Sequence, residues 1–332
     1  SVNNETMKLW VSLIEPPTAC YPILEALILD KRVLADEVWA RIRNQFEANK
    51  LGAARYSMNY LPPSQTPDER TAKAISDSPL PWLVKQNSLS GSRMNRELAA
   101  LAISRIAAND PRMAAEQLAR IEGQLQASEK GWAWGQIGWQ AAKRHMSDAL
   151  VWYRNAGDAT LSDEVAQWKV RAALRTHDWG TVRATIEKMP PALAEQPVWV
   201  YWLGRAYRAG GRTTDANNLF AKIAGQPNFY SNLADEELDR PVMPPPKATP
   251  PTAEETSRVN ANPGVQRGLA LYRLNMRTEG SKEWSWALRT MTDRELLTAS
   301  NIAQRAGIYD RAIAAADRTK DEHDYSLRYL SP

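Results

Sequence analysis

The sequence predicts an all-α protein: a right-handed α-superhelix, or solenoid, of helix pairs, followed by a small helical linker domain. Three observations predict it. Trp134, Trp168 and Trp202 recur at intervals of 34 residues, the period of stacked helix-turn-helix units. A small or β-branched residue recurs on the second helix of successive pairs, at Ala114, Ala149, Val182 and Ala216. A large residue follows each of them by four positions, at Leu118, Tyr153, Ile186 and Phe220. Small side chains let two helices approach, and the large ones fill the space between pairs.

Taken in order, residues 1–238 read as the superhelix. Thr66-Pro67-Asp68-Glu69 predicts a helix start, with Thr66 as the N-cap and Pro67 at the first position. Residues 197–209 are apolar on more than one face, as a helix sandwiched between neighbours must be. Leu203-Gly204, Tyr207, Ala216 and Phe220 fall at the spacing of a tetratricopeptide consensus. Val200 stands where that consensus has Trp, with Trp199 and Trp202 on either side. Residues 239–263 read as a proline-rich linker or strap: six prolines between Pro241 and Pro251 cannot continue a helix. Residues 264–332 resume helical pairs. Thr292 with Glu295 predicts a capping box, and Gly280 and Gly307 mark turns.

Composition excludes several classes. The mean hydropathy of −0.51 and the lack of a long apolar run leave no transmembrane segment. Cys20, the single cysteine, supports neither a disulfide framework nor a cysteine zinc site. Pro17-Thr18-Ala19-Cys20 faintly resembles a lipid-attachment box, but no apolar signal core precedes it. The chain starts at Ser1 without a signal peptide, which reads as a processed or internal piece. A net charge of +4 is a mild bias towards acidic polymers. RNA-reading repeats would repeat a polar pair in each unit; none recurs, so no nucleic-acid partner is expected.

No catalytic motif stands out: there is no Gly-x-Ser-x-Gly elbow, phosphate loop or His-Glu-x-x-His. His145 and His177 fall in equivalent inter-helix turns and read as structural or solvated, with no metal ligands organised around them; no cofactor is expected. Asp235-Glu236-Glu237 reads as a solvated helix end, because consecutive carboxylates on a helix diverge. Burying one Trp removes about 150–250 Å² from water, worth about 4–6 kcal/mol. Thirteen exposed tryptophans would therefore cancel the net stability of a domain. Trp134, Trp168 and Trp202 are expected in the core. Arg171 and Arg205, also 34 apart, would project in parallel and are the candidate substrate-binding residues on a basic inner surface.

Three stretches carry a family resemblance. Lys130–Ile137, with Gln140–Ala142 and Ala149–Tyr153, resembles the superhelical region of the soluble lytic murein transglycosylases. Asn228–Leu238 resembles the motif that ends that superhelix. Leu271–Leu274, Glu283–Leu288, Tyr309–Ile313 and Glu322–Leu330 resemble the linker domain that leads into the catalytic domain. The resemblance implies a periplasmic, Gram-negative cell-wall enzyme, peripheral to the envelope. Its lysozyme-like domain would cleave the MurNAc–GlcNAc bond of peptidoglycan and leave a 1,6-anhydromuramyl end. Implied partners are peptidoglycan glycan strands, the protein's own catalytic domain, and cell-wall synthesis or division proteins. The family's catalytic Glu-Ser pair has no counterpart here, since no Glu-Ser dipeptide occurs. No catalytic residue is therefore assigned, and the catalytic domain is expected after Pro332. Arg154-Asn155-Ala156-Gly157 resembles a catalytic-domain motif, but its repeat context makes it a turn. Tyr325, Arg328 and Tyr329, at the exit, are the candidate seat for the catalytic domain. The alternative is a tetratricopeptide-like protein–protein adaptor without enzyme activity.

Overall fold

The computed structural model describes residues 10, 13–15, 22, 26–27, 33–86, 88–89, 91–242 and 247–328. The lipid-box stretch Pro17–Cys20 lies outside them. The fold is the predicted all-α one: the sole extended pairing among the described residues is a single parallel bridge, Lys247 with His323. No described helix is long and apolar enough to cross a membrane. Contacts divide the chain into two compact units, Ser1–Ile223 and Ala224–Pro332. The boundary expected at 238 thus falls inside the second unit. Asp235 ties helix Phe229–Glu237 back to Gly225, the turn that opens that unit.

In the first unit the helices are α1 (Ala35–Glu47), α2 (Leu51–Met58), α3 (Glu69–Asp77), α4 (Pro79–Val84), α5 (Arg93–Asn109) and α6 (Pro111–Ile121). They continue with α7 (Ala127–Lys143), α8 (Ala149–Asn155), α9 (Asp163–Arg175), α10 (Trp179–Ile186), α11 (Pro191–Ala194), α12 (Pro197–Ala209) and α13 (Thr213–Ile223). Successive helices pair as antiparallel hairpins (α5/α6, α7/α8, α9/α10, α12/α13), and the pairs stack through α5 on α7, α7 on α9 and α10 on α12. Ala114, Ala149, Val182 and Ala216 are buried, and so are Leu118, Tyr153, Ile186 and Phe220. The sequence pattern therefore marks the packed seam of each pair. Closest approach is at glycine: a Cβ on Gly138 would lie 2.9 Å from the Tyr153 ring, and one on Gly204 2.5 Å from Phe220.

The turn within the pair repeats more faithfully than the tryptophans. Asn49, His145, His177, Gly211, Asn275 and Gly307 all adopt positive φ, from 56° to 77°. The next residue's N–H then bonds the carbonyl five residues back, as Met146 to Ala141, Asp178 to Ala173 and Arg212 to Tyr207. This is the left-handed C-terminal cap that satisfies the last helix carbonyls. His145 and His177 are exposed there, as backbone-turn residues. A Cβ disfavours that conformation. His145→Gly and His177→Gly are each expected to stabilise the protein by about 0.5–1 kcal/mol. Urea-denaturation midpoints check this; a lower midpoint would give the imidazoles a contact role.

One cap differs from expectation. The N-cap of α3 is Asp68, whose carboxylate accepts the Thr71 N–H at 2.9 Å. Thr66 instead donates its hydroxyl back to the Leu61 and Pro62 carbonyls. A carboxylate at the helix start outcompetes a hydroxyl two residues upstream, and the same N–H bond holds Asp68 below the usual carboxylate range.

The second unit contains α14 (Phe229–Glu237), α15 (Ala253–Asn260), α16 (Pro263–Arg273), α17 (Arg277–Ala287), α18 (Asp293–Arg305), α19 (Tyr309–Ala316) and the short α20 (Tyr325–Arg328). Its hairpins are α16/α17 and α18/α19, around a core that includes Val265, Trp284, Leu288, Ala299 and Ala312. The Thr292–Glu295 capping box forms as expected. Helix α15 occupies part of the expected linker; its own box, Thr252 with Glu255, starts it directly after the prolines. Asp235 is buried and accepts the Gly225 N–H at 2.9 Å, so it is not the solvated residue expected: it pins a turn.

Candidate functional site

Arg171 on α9 and Arg205 on α12 are held by aromatic rings. The Arg171 guanidinium sits 5.2 Å from the Trp168 centroid and 5.3 Å from that of Trp199. Trp168 is on its own helix and the buried Trp199 on α12, so Arg171 bridges two pairs. Arg205 donates to the Tyr201 hydroxyl at 2.9 Å and lies over that ring. Such cation–π contacts are worth about 0.5–1 kcal/mol at exposed sites. They fix the guanidinium plane against the ring. The two arginines are equivalent in sequence and different in surroundings.

The tryptophan ladder is mostly core. Trp134 is buried and its indole N–H reaches Glu122 at 3.0 Å. Trp168 and Trp202 are half-buried and pack against the cores of their pairs. Trp286, 63% exposed, is the open tryptophan, with the Arg289 guanidinium 3.4 Å from its centroid.

The exit segment is clamped by α18 from two adjacent residues. One Asp293 carboxylate oxygen accepts the backbone N–H groups of Lys320, Asp321 and Glu322 at 2.9, 2.7 and 3.1 Å. Burial opposes ionisation of Asp293, but those three donors outweigh it and hold the carboxyl below its ordinary range. Arg294 forks onto Glu255 (3.0 and 2.6 Å) and donates to the Thr249 carbonyl at 2.7 Å. The Arg294 hydrogen bond, with the Thr252 backbone N–H, lowers Glu255 to about 2. The proline strap is thereby fastened to the exit: the Ala248 N–H also bonds the His323 carbonyl at 2.8 Å. His323 is buried, with Nδ1 3.3 Å from the Thr319 hydroxyl.

Of the candidate seat residues, Tyr325 opens α20 half-buried, and Arg328 pairs with Asp317 at 3.2 Å. Tyr329 lies outside the described residues. Leu327 anchors the exit helix on Leu297 and Ala316.

A polar groove of about 420 Å³ on the first unit was not foreseen. Arg43, Arg93 and Arg96 meet the buried carboxylates Glu97 and Glu129 there. Arg43 pairs with Glu97 at 2.7 Å and Arg96 with Glu129 at 2.9 Å. Burial raises the Glu97 carboxyl, Arg43 opposes that, and Glu129 adds repulsion. Glu129 also accepts the Gln126 N–H as half of a capping box. Both carboxylates are occupied, so the cluster locks α1, α5 and α7 together; it is not arranged for acid–base exchange. Its members lie up to 86 positions apart, and only the Gln126–Glu129 box and the Arg93–Glu97 pair, four apart on α5, are readable locally. Among the described residues no group of three or more His, Cys, Asp or Glu could hold a metal ion.

Comparison with known proteins bears out the resemblance read from the sequence. Residues 258–321 match the family model of the soluble lytic murein transglycosylase L domain. The chain is 19% identical to the soluble lytic murein transglycosylase of Escherichia coli K12 over 324 residues, 93% of this chain. It is 19% identical to the Salmonella typhimurium LT2 protein of the same name over 310 residues, 92% of this chain. The chain spans about half, 48%, of the length of these curated relatives. Among solved structures, an inactive mutant of the lytic transglycosylase Slt from Pseudomonas aeruginosa shares the fold. Its TM-score is 0.67 at 22% identity, over 98% of this chain and 53% of that one. The 70-kDa soluble lytic transglycosylase in complex with bulgecin A gives 0.57 at 18%, over 94% of this chain and 51% of that one.

Proposed function

We propose that this chain, which carries the L domain of the soluble lytic murein transglycosylases at residues 258–321, is the non-catalytic scaffold of a periplasmic lytic transglycosylase. In this reading the superhelix holds and orients peptidoglycan strands, and the linker domain seats a catalytic domain outside these residues. That domain would cleave the MurNAc–GlcNAc bond to a 1,6-anhydromuramyl product. The observation that carries the reading is the L-domain match, at the place where the sequence similarity to full-length enzymes covers nearly the whole chain and half of theirs. The exit geometry is consistent with a seat: the Asp293–Arg294 clamp fixes the segment from which Tyr325 and Arg328 emerge. Arg171 and Arg205, aromatic-backed cations on corresponding helices, are the proposed glycan contacts on the superhelix.

Carboxylate pairs do occur, but Glu97 and Glu129 are consumed by arginines. Cleavage of a glycosidic bond needs a free acid and a partner beside the sugar. The 332-residue chain incubated with purified sacculi is therefore expected to release no anhydromuropeptides by mass spectrometry of the soluble fraction. Their release would place the chemistry inside these residues and end the scaffold reading.

A further inference from the structure

A cleft of about 250 Å³ opens on the first unit between the α8–α9 turn and the facing sides of α9 and α10. Leu161, Ala166 and Met189 form an aliphatic patch on its wall, beside Thr160, Thr181 and Thr185. Four charged residues line it: Asp158, Asp163, Lys169 and Lys188. Lys188 and Asp158 satisfy one another at 3.0 Å on the exposed rim. Asp163 is exposed at the start of α9. Lys169 differs from all three. It is half-buried, and its ammonium lies 5.9 Å from the Tyr153 ring centroid, with no ion pair among the described residues. Burial pulls its pKa down, and Lys188 adds to that against the weaker pull of Asp158 and Asp178. A partly desolvated ammonium without an ion-pair partner gains from a carboxylate placed on it.

We propose that this cleft is a binding site for a carboxylate borne on a small aliphatic group. The carboxylate meets Lys169 Nζ, and the aliphatic part lies against Leu161, Ala166 and Met189. A peptide C-terminus ending in a small residue and a sugar acid with a short carboxyl-bearing side group share this chemistry. The aliphatic patch suits either. The inference does not rest on the scaffold reading, because it is argued from the cleft's own residues and is read with small carboxylates in solution.

The test uses the 332-residue chain and three probes: N-acetyl-alanyl-alanine, its C-terminal amide, and N-acetylmuramic acid. Equilibrium dialysis gives affinities, and ¹³C-methylated lysine NMR follows Lys169, assigned with Lys169→Met. The free acid is expected to bind, to shift the Lys169 signal and to raise its titration midpoint. The amide should bind at least tenfold more weakly. Lys169→Met should lose the free acid by the same factor, and Lys169→Arg should keep it. Tighter binding of the sugar acid than of the dipeptide assigns the carboxylate to a sugar; the reverse assigns it to a peptide. Equal binding of acid and amide, or binding within twofold of wild type in Lys169→Met, overturns the proposal.

Discussion

Phe220→Ala is expected to destabilise the first unit by about 3–5 kcal/mol, the cost of emptying a fully buried aromatic site. The ring is completely enclosed, and it is the reason position 204 is glycine. A Cβ there would lie 2.5 Å from Phe220 Cε1, inside any allowed carbon–carbon distance. Gly204→Ala alone is therefore expected to cost about 1–3 kcal/mol through overpacking. Shortening the partner makes room: in a Phe220→Leu background the same Gly204→Ala change should cost clearly less. Urea denaturation of the four proteins gives the coupling directly. Additive losses would show that the two helices yield independently and that the seam is not the fixed unit of the repeat.

Arg43→Ala is expected to cost about 3 kcal/mol at neutral pH, because it leaves a buried carboxylate without its main partner. Glu97 is 2% exposed, and its other arginine, Arg93, is farther away, at 3.6 Å. The direction with pH follows from the raised Glu97 carboxyl. A carboxyl whose pKa is higher folded than unfolded binds its proton longer in the native state. Its burden on stability is absent below the unfolded value and grows as pH rises from there to the folded value. Removing Arg43 raises the folded value further, so the variant's deficit should widen between pH 5 and pH 8. Urea midpoints at those two values measure it. A loss independent of pH would assign the effect to lost packing of the Arg43 stem on Trp132, where the guanidinium lies 5.4 Å from the ring.

Legibility followed how local each interaction is. The seam residues were readable because Ala216 and Phe220 are four apart on one helix face, and every pair repeats that spacing. The αL turns were half readable: Gly211 and Gly307 announce themselves, but His145 and His177 do the same work with a Cβ, which composition does not flag. Asp68 displaced Thr66 because two cap-competent residues lay two positions apart and only geometry chose between them. The strap was visible in its prolines, whereas its fastening was not: Arg294 reaches Thr249 across 45 positions and Glu255 across 39. Lys169 lacked any motif, since what sets it apart is a missing counter-ion among residues from two helices and a turn. The functional reading rests on the motifs flanking the tryptophan ladder, above all Glu322–Leu330, and the L-domain match ends at residue 321, just before that segment.

Holding peptidoglycan is the central claim, and co-sedimentation with purified sacculi tests it most directly. The 332-residue chain is expected to pellet with sacculi, and Arg171→Ala/Arg205→Ala should pellet less while still fully folded at the assay temperature. A chain that stays in the supernatant at every sacculus concentration would contradict the scaffold reading.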